Sequence, residues 1–447
     1  MVFSSLSVRD CISASQTYHR WRVIALDAQN LWSEFDCDAY SDLMVCELLG
    51  RSKSWPLRIT LDSPSALVEE TLLRHMHHVQ DLRFAGGIYT LSALLAKSSS
   101  SFQQLCLTRL LMPRHSELAG ALAHWPFDGR TVFQGITSLE LRTTGISFLL
   151  QRPGALDGIF DACPSLRRLG LAMPSIVMGP APMTRAVKTS SPYLDDVYLV
   201  GKAGYLCQML PAFRGVACVE VCVTETLPTD ETTLVSSLLT GTGRVREVLY
   251  YETSKPSQTL VVQSGDYTRT LIRDVLDNLT MTALCDNGCL DTAETCTIAD
   301  SLVCGGLREV RAIHAAHLTE ITVVIPCMAN LLWALHGPNT SSNWHCPALN
   351  TVCIAVPLGS ALALLQPGTQ STLSVEDVVF LLGHILLFSP SRKLPRLQLK
   401  NVTLIFDKND AENLDDIVLC TEILPVDPTW EPIPKLHSEG GFWSSSS

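Results

Sequence analysis

Charge is what this sequence has least of. Only 17% of its 447 residues are Asp, Glu, Lys or Arg, and the 33 basic residues are outnumbered by 44 acidic ones, for a formal net charge of −11. Clustered Lys and Arg are what hold a phosphate backbone, so nucleic acid is not an expected partner. A long apolar run is also missing. The best stretch, Val378 to Phe388, is interrupted by Gly383 and His384, far short of the roughly 20 residues that span a bilayer, so no membrane partner is expected. The opening residues MVFSSLSVRDC lack a signal peptide's apolar region, which points to a cytoplasmic or nuclear protein. Glycine-rich phosphate loops, a GxSxG elbow and HExxH are absent from the sequence. The expectation is a protein without catalytic residues, metal or cofactor, not an enzyme.

What is plentiful is apolar surface: hydrophobic residues make up 47% of the chain, enough for a large core and far from a disordered composition. Sixteen cysteines are scattered, several inside apolar runs such as FQQLCL and LNTVCIAV, so they read as buried free thiols packing as small hydrophobes. Cys285, Cys289, Cys296 and Cys304 lack the short C-x2-C knuckle of a zinc site, and are expected as thiols in or beside a helix over 292–303. His75, His77 and His78 read as solvated surface histidines, and the stretch holding His314 and His317 as a strand.

One six-residue pattern recurs along the chain: apolar, two variable, apolar, one variable, apolar. It reads VQDLRF, FQQLCL, ITSLEL, LRRLGL, LDDVYL, VACVEV, VREVLY, LREVRA, LNTVCI and LPRLQL. The last two apolar positions lie two apart and so share one face of a short strand. Helical segments are expected between the strands: 115–125, 156–164, 203–210, 231–241, 267–279 and 375–388. The central strand positions 82, 105, 139, 169, 197, 219 and 248 are 23, 34, 30, 28, 22 and 29 residues apart. One strand and one helix per such step is the sign of a leucine-rich-repeat array, with a doubly wound α/β domain as the competing architecture. The fold class expected is α/β, an irregular leucine-rich-repeat solenoid whose neighbours stack to bury one continuous core. The non-core strand positions would form a target-binding face carrying Arg83, Glu140, Arg142, Arg168, Asp196, Tyr198, Glu220, Tyr251 and Arg311, a charge-mixed set with the Arg and Tyr favoured at protein interfaces.

The first 36 residues differ. Ser7 followed by Asp10 reads as a helix start resembling a capping box. Leu6-Ser7-x-x-Asp10, Ser15-Gln16, His19-Arg20-Trp21-Arg22, Ala25-Leu26-Asp27 and Asn30-Leu31-Trp32 together resemble the second and third helices of an F-box, in the form common among fungal F-box-like proteins. WPLRITLD at 55–62 ahead of a leucine-rich array suits that layout. Thr17-Tyr18 stand where the family usually has Val-Cys, and Met1 falls where the family's first helix would be ending. The resemblance implies docking on a Skp-type adaptor through Leu6, Ile12, Ser15, Tyr18, Trp21, Ile24, Leu31 and Trp32. The chain would then be the substrate-recognition subunit of an SCF-type cullin–RING ubiquitin ligase, with an unknown protein as target. The alternative is a stand-alone binding scaffold in which these helices only cap the array. The organisation expected is a helical F-box-like segment over 1–36, a connector with the first strand over 37–62, the repeat array over 63–406 and a loosely ordered tail over 407–447.

Overall fold

The computed structural model describes residues 7–111, 124–142, 154–173, 193–225, 228–252, 258–273, 278–299, 312–325, 343–356, 371–388, 393–405 and 410–425. The chain divides into two compact units, Met1–Val219 and Glu220–Ser447, where the sequence suggested one array.

The first unit opens with α1 (Val8–Thr17) and α2 (His19–Asp27), followed by β1 (Glu34–Asp36), α3 (Asp42–Ser52) and β2 (Leu57–Asp62). Then come α4 (Ala66–His75), β3 (Val79–Gly87), α5 (Ile88–Ala96), β4 (Gln104–Leu111), β5 (Ser138–Leu141), α6 (Ala155–Ala162), β6 (Arg168–Ala172), β7 (Asp196–Lys202) and α7 (Ala203–Met209). Strands β1 to β7 pair parallel in chain order. The repeat template falls in register across them. Phe35, Ile59, Leu82, Leu105, Leu139, Leu169 and Val197 lie side by side, and Leu61, Phe84, Leu107, Leu141, Leu171 and Leu199 form a second column. All thirteen are buried. A side-chain period of two puts both template positions on one face, so neighbouring rungs bury each other's apolar surface. Each buried Leu or Phe contributes about 1.5–3 kcal/mol.

The ladder begins earlier than expected. β1 lies inside the segment assigned wholly to F-box-like helices, and 37–62 carries a helix and the second strand rather than a connector and the first. Trp32, Phe35 and Cys37 repeat the apolar spacing two rungs before VQDLRF. The two N-terminal helices form as read. Ser7 Oγ accepts the Asp10 N–H at 3.2 Å and donates to Asp10 Oδ2 at 2.7 Å, tying the first turn of α1.

β8 (Cys218–Glu225) runs across the division. The second unit continues with α8 (Pro228–Leu239), β9 (Glu247–Glu252), β10 (Gln258–Ser264), β11 (Tyr267–Arg273), α9 (Asn278–Asp286), α10 (Cys289–Thr292) and β12 (Thr295–Ala299). β13 (Ala312–His314), β14 (Glu320–Val324), β15 (Asn343–His345), β16 (Thr351–Ala355), β17 (Ser371–Ser374), α11 (Val375–Phe380) and β18 (Leu386–Leu387) follow. The last elements are β19 (Arg396–Lys400), β20 (Val402–Ile405), α12 (Asp410–Ile417) and β21 (Thr421–Leu424). Its sheet runs β11-β10-β9-β12-β14-β16-β19-β21. From β9 onward it is parallel, with Val248, Cys296, Ile321, Val352 and Leu397 in one buried column. Two smaller parallel sheets, β13-β15-β18 and β17-β20, accompany it.

Several expectations are corrected here. The helix over 267–279 is a strand up to Arg273: β10 and β11 form an antiparallel hairpin around Gly265-Asp266, and Gly265 holds φ 54°. A two-residue Gly-Asp connection between β-branched runs favours this over a helix. Within the stretch expected as a helix over 292–303, Thr295–Ala299 forms β12, and Cys296 and Ile298 with Ala293 just before the strand fill the template. The repeat read as LREVRA falls largely outside the described residues, and the strand that joins the ladder is β14, with Leu318, Ile321 and Val323 in the template. In 375–388 the helix ends at Phe380 and continues as a π segment into β18. The expected loose tail from 407 carries α12 and β21, and β21 pairs with β19. Helices over 156–164, 203–210 and 231–241 form close to the expected bounds, whereas 115–125 lies mostly outside the described residues.

Candidate functional site

Two surfaces of the first unit concentrate side chains that the fold does not use. The first is α2. Of its nine residues only Ala25 is buried. Tyr18, at its start, and Trp21, Val23, Ile24 and Leu26 along it are each between 39% and 58% exposed. Tyr18 and Trp21 stack edge to face at 6.2 Å, and the exposed His19, Arg20 and Arg22 stand among them. Ala25 is the tether. Its carbonyl accepts the Trp32 indole N–H at 2.8 Å, and Trp32 is fully buried beneath the Arg51 guanidinium, 5.0 Å from its ring centroid.

The eight residues expected to meet an adaptor therefore separate. Tyr18, Trp21 and Ile24 lie together on the exposed helix, and Ile12 is half-buried. Ser15, Leu31 and Trp32 are buried; Ser15 Oγ donates to the Ile12 carbonyl at 2.7 Å within α1. Leu6 lies outside the described residues. Val23 and Leu26 were missed, although their i, i+3 spacing off the Ala25 face was the signal that could have found them.

The second surface is the face of the ladder opposite the core columns. One row runs Arg58, Asp81, Gln104, Ser138, Arg168 and Asp196, and the next Thr60, Arg83, Cys106, Glu140, Gly170 and Tyr198. Ion pairs cross-link it: Arg58–Asp81 at 3.1 Å, Arg109–Asp62 at 2.9 Å, Arg168–Asp196 at 3.1 Å, Arg167–Asp195 at 3.7 Å, and Arg142–Glu140. Glu140 is buried beside Gly170, where a Cβ would stand 2.9 Å from the Glu140 Cγ. Cys106, under the same row, has its thiol pushed up to about 12 by burial and then by Glu140. Of the expected target residues, Arg83, Glu140, Arg142, Arg168, Asp196 and Tyr198 do share this face.

Glu220, in the second unit, is buried, its carboxyl is pushed up to about 7 by burial, and its Oε1 has no hydrogen-bond partner. The outward positions Leu249, Val261 and Thr270 lie side by side near the hairpin and are buried as well, so the second unit's outer face is closed there. The side chain of Tyr251 and all of Arg311 lie outside the described residues.

The described cysteines are free thiols. Burial pushes those of Cys285 and Cys289 up to about 11 and raises that of Cys296 further; Cys304 lies outside the described residues. Such thiols stay protonated and unreactive at neutral pH. Of the histidines at the end of α4, His77 is exposed as expected, whereas His78 is buried and His75 half-buried. His77 Nδ1 lies 2.9 Å from the Arg74 carbonyl and His78 Nδ1 lies 3.1 Å from His77 Nε2. A carbonyl only accepts, so His77 carries its proton on Nδ1 and His78 donates to its Nε2. That leaves His78 Nε2 buried without a partner. His314 sits in β13 and His317 in the turn after it. Among the described residues no group of three or more His, Cys, Asp or Glu is placed to hold a metal ion, and no helix is long and apolar enough to cross a membrane.

No protein-family model matches the chain, and no curated protein matches it at a significant level. Among solved structures, the leucine-rich repeat-containing protein LegL7 from Legionella pneumophila superposes with a TM-score of 0.33 at 12% identity, over 73% of this chain and 92% of that one. A likeness at that level carries no argument about architecture or activity.

Proposed function

We propose that this chain is a binding protein, not an enzyme, in which α2 docks a Skp-type adaptor of an SCF-type cullin–RING ubiquitin ligase and the outer face of the ladder holds a target protein. The carrying observation is α2 itself: five large apolar residues around one short helix stay open to water. Contiguous exposed apolar surface of this kind marks an interaction site. The F-box-like residue order of 6–32 names the adaptor, and the interspersed Arg20 and Arg22 suit an apolar groove with an acidic rim. Burial raises the thiols of Cys106, Cys285 and Cys289 and leaves these three poor nucleophiles. This role would place the protein in the cytoplasm or nucleus.

A second reading also has an observation behind it. Ser15, Leu31 and Trp32 are buried, and Trp32 ties Ala25 of α2 to Arg51 of α3, which is what a segment that only caps the array would do. Pull-down of a Skp-type adaptor by the full chain separates the two. Trp21→Ala is expected to abolish recovery, whereas Leu43→Ala, at an exposed apolar position away from α2, should leave it intact. Equal recovery by both variants, or none by the parent chain, leaves the capping scaffold.

A further inference from the structure

We propose that Arg83 is the anchor for a single carboxylate on the target, so that the first unit's outer face selects partners through an acidic side chain. This rests on the reading of that face as the target surface. Five arginines there each meet a carboxylate of the same face. Arg83 is the sixth, half-buried and second in its row, and among the described residues it makes no hydrogen bond or ion pair. Its row neighbours across β2 and β4 are Thr60 and Cys106, about 4.8 Å away and uncharged at neutral pH. Asp81 is two residues along the strand, about 6.7 Å off, and Glu140 is two strands over; Asp81 pairs with Arg58 through Oδ2, its Oδ1 being buried without a hydrogen-bond partner, and Glu140 pairs with Arg142.

Among the described residues of this face, Arg83 is thus a guanidinium without a carboxylate where water is partly excluded. A charge there is unfavourable alone and favourable once paired. The planar fork of Arg fits a carboxylate through two parallel N–H bonds. The surrounding charge sets the valence of the ligand. Asp62, Asp81 and Glu140 flank the position, so one negative charge is balanced by Arg83, whereas a doubly charged phosphate would meet their repulsion. The occupant is thus an Asp or Glu side chain on an extended segment of the target.

The test is panning of a displayed random dodecapeptide library on the full chain, on Arg83→Gln and on Arg83→Glu, with melting curves confirming that the variants fold. Peptides enriched on the parent should carry Asp or Glu at one shared position. The best of them should lose at least tenfold in affinity on Arg83→Gln, and equally on replacing that acidic residue by its amide, while Arg83→Glu should enrich Lys or Arg there. Enriched peptides without a shared acidic position, or undiminished binding to Arg83→Gln, would overturn the carboxylate anchor and leave the binding face standing. Tighter binding by phosphoserine at the shared position would reassign the site to phosphopeptides. Enrichment no better than on an unrelated bait would overturn the face as a target surface, and the anchor with it.

Discussion

Trp21 and Trp32 belong to the same short segment and do opposite work. Trp32 is sealed under Arg51 with its indole N–H on the Ala25 carbonyl, so Trp32→Ala should cost about 3–5 kcal/mol of stability in urea denaturation. Trp21, half-exposed on α2, should change stability by less than about 0.5 kcal/mol when truncated. Two titrating groups add opposite pH dependences. Glu220 has a carboxyl raised from 4.5 to about 7. The unfolded chain releases that proton first, so its contribution to stability falls as pH rises from 4.5 to 7. Glu220→Gln should then stabilise at pH 8 by about 2 kcal/mol and much less at pH 4.5. His78 is lowered from 6.5 to about 4 by burial, then by its neighbours His77 and His75. Here the unfolded chain binds a proton that the fold refuses. Stability should be lost as pH falls from 6.5 towards 4, by about 1–2 kcal/mol, and His78→Leu should flatten that limb in melts recorded across the range.

At the scale of elements, the strands were the legible part. A spacing of apolar residues at three and then two is a local property, and Leu105, Leu139 and Leu169 sit where it put them. What escaped was set by less local rules. Thr295–Ala299 fills a rung through Cys296, with Ala293 just before the strand, residues too small to stand out in a search for leucines. TLVVQSGDYTRTLI has helix-compatible spacing after Tyr267, and only the Gly265-Asp266 turn betrays a hairpin. Because Gly265 holds φ 54°, Gly265→Ala should destabilise the second unit by about 1–2 kcal/mol, read as a lowered melting temperature. On the outer face, the residue types at Arg83, Arg142 and Arg168 could be read, but not their pairing. Which arginine remains without a carboxylate depends on the register between strands far apart in sequence, as Arg168 and Asp196 show.

For the whole molecule, two requirements meet in the first unit: a buried ladder that keeps the fold, and a helix that keeps its apolar side chains in water. The second is unfavourable for the isolated chain and makes sense once a partner covers it. Amide hydrogen exchange on the full chain, with and without a purified Skp-type adaptor, reads this directly. The account predicts strong protection of amides 18–27 on mixing, with the amides of β2 to β7 unchanged, and loss of that protection in Trp21→Ala. Exchange of α2 that stays the same at saturating adaptor, in a chain whose ladder amides are fully protected, would contradict it.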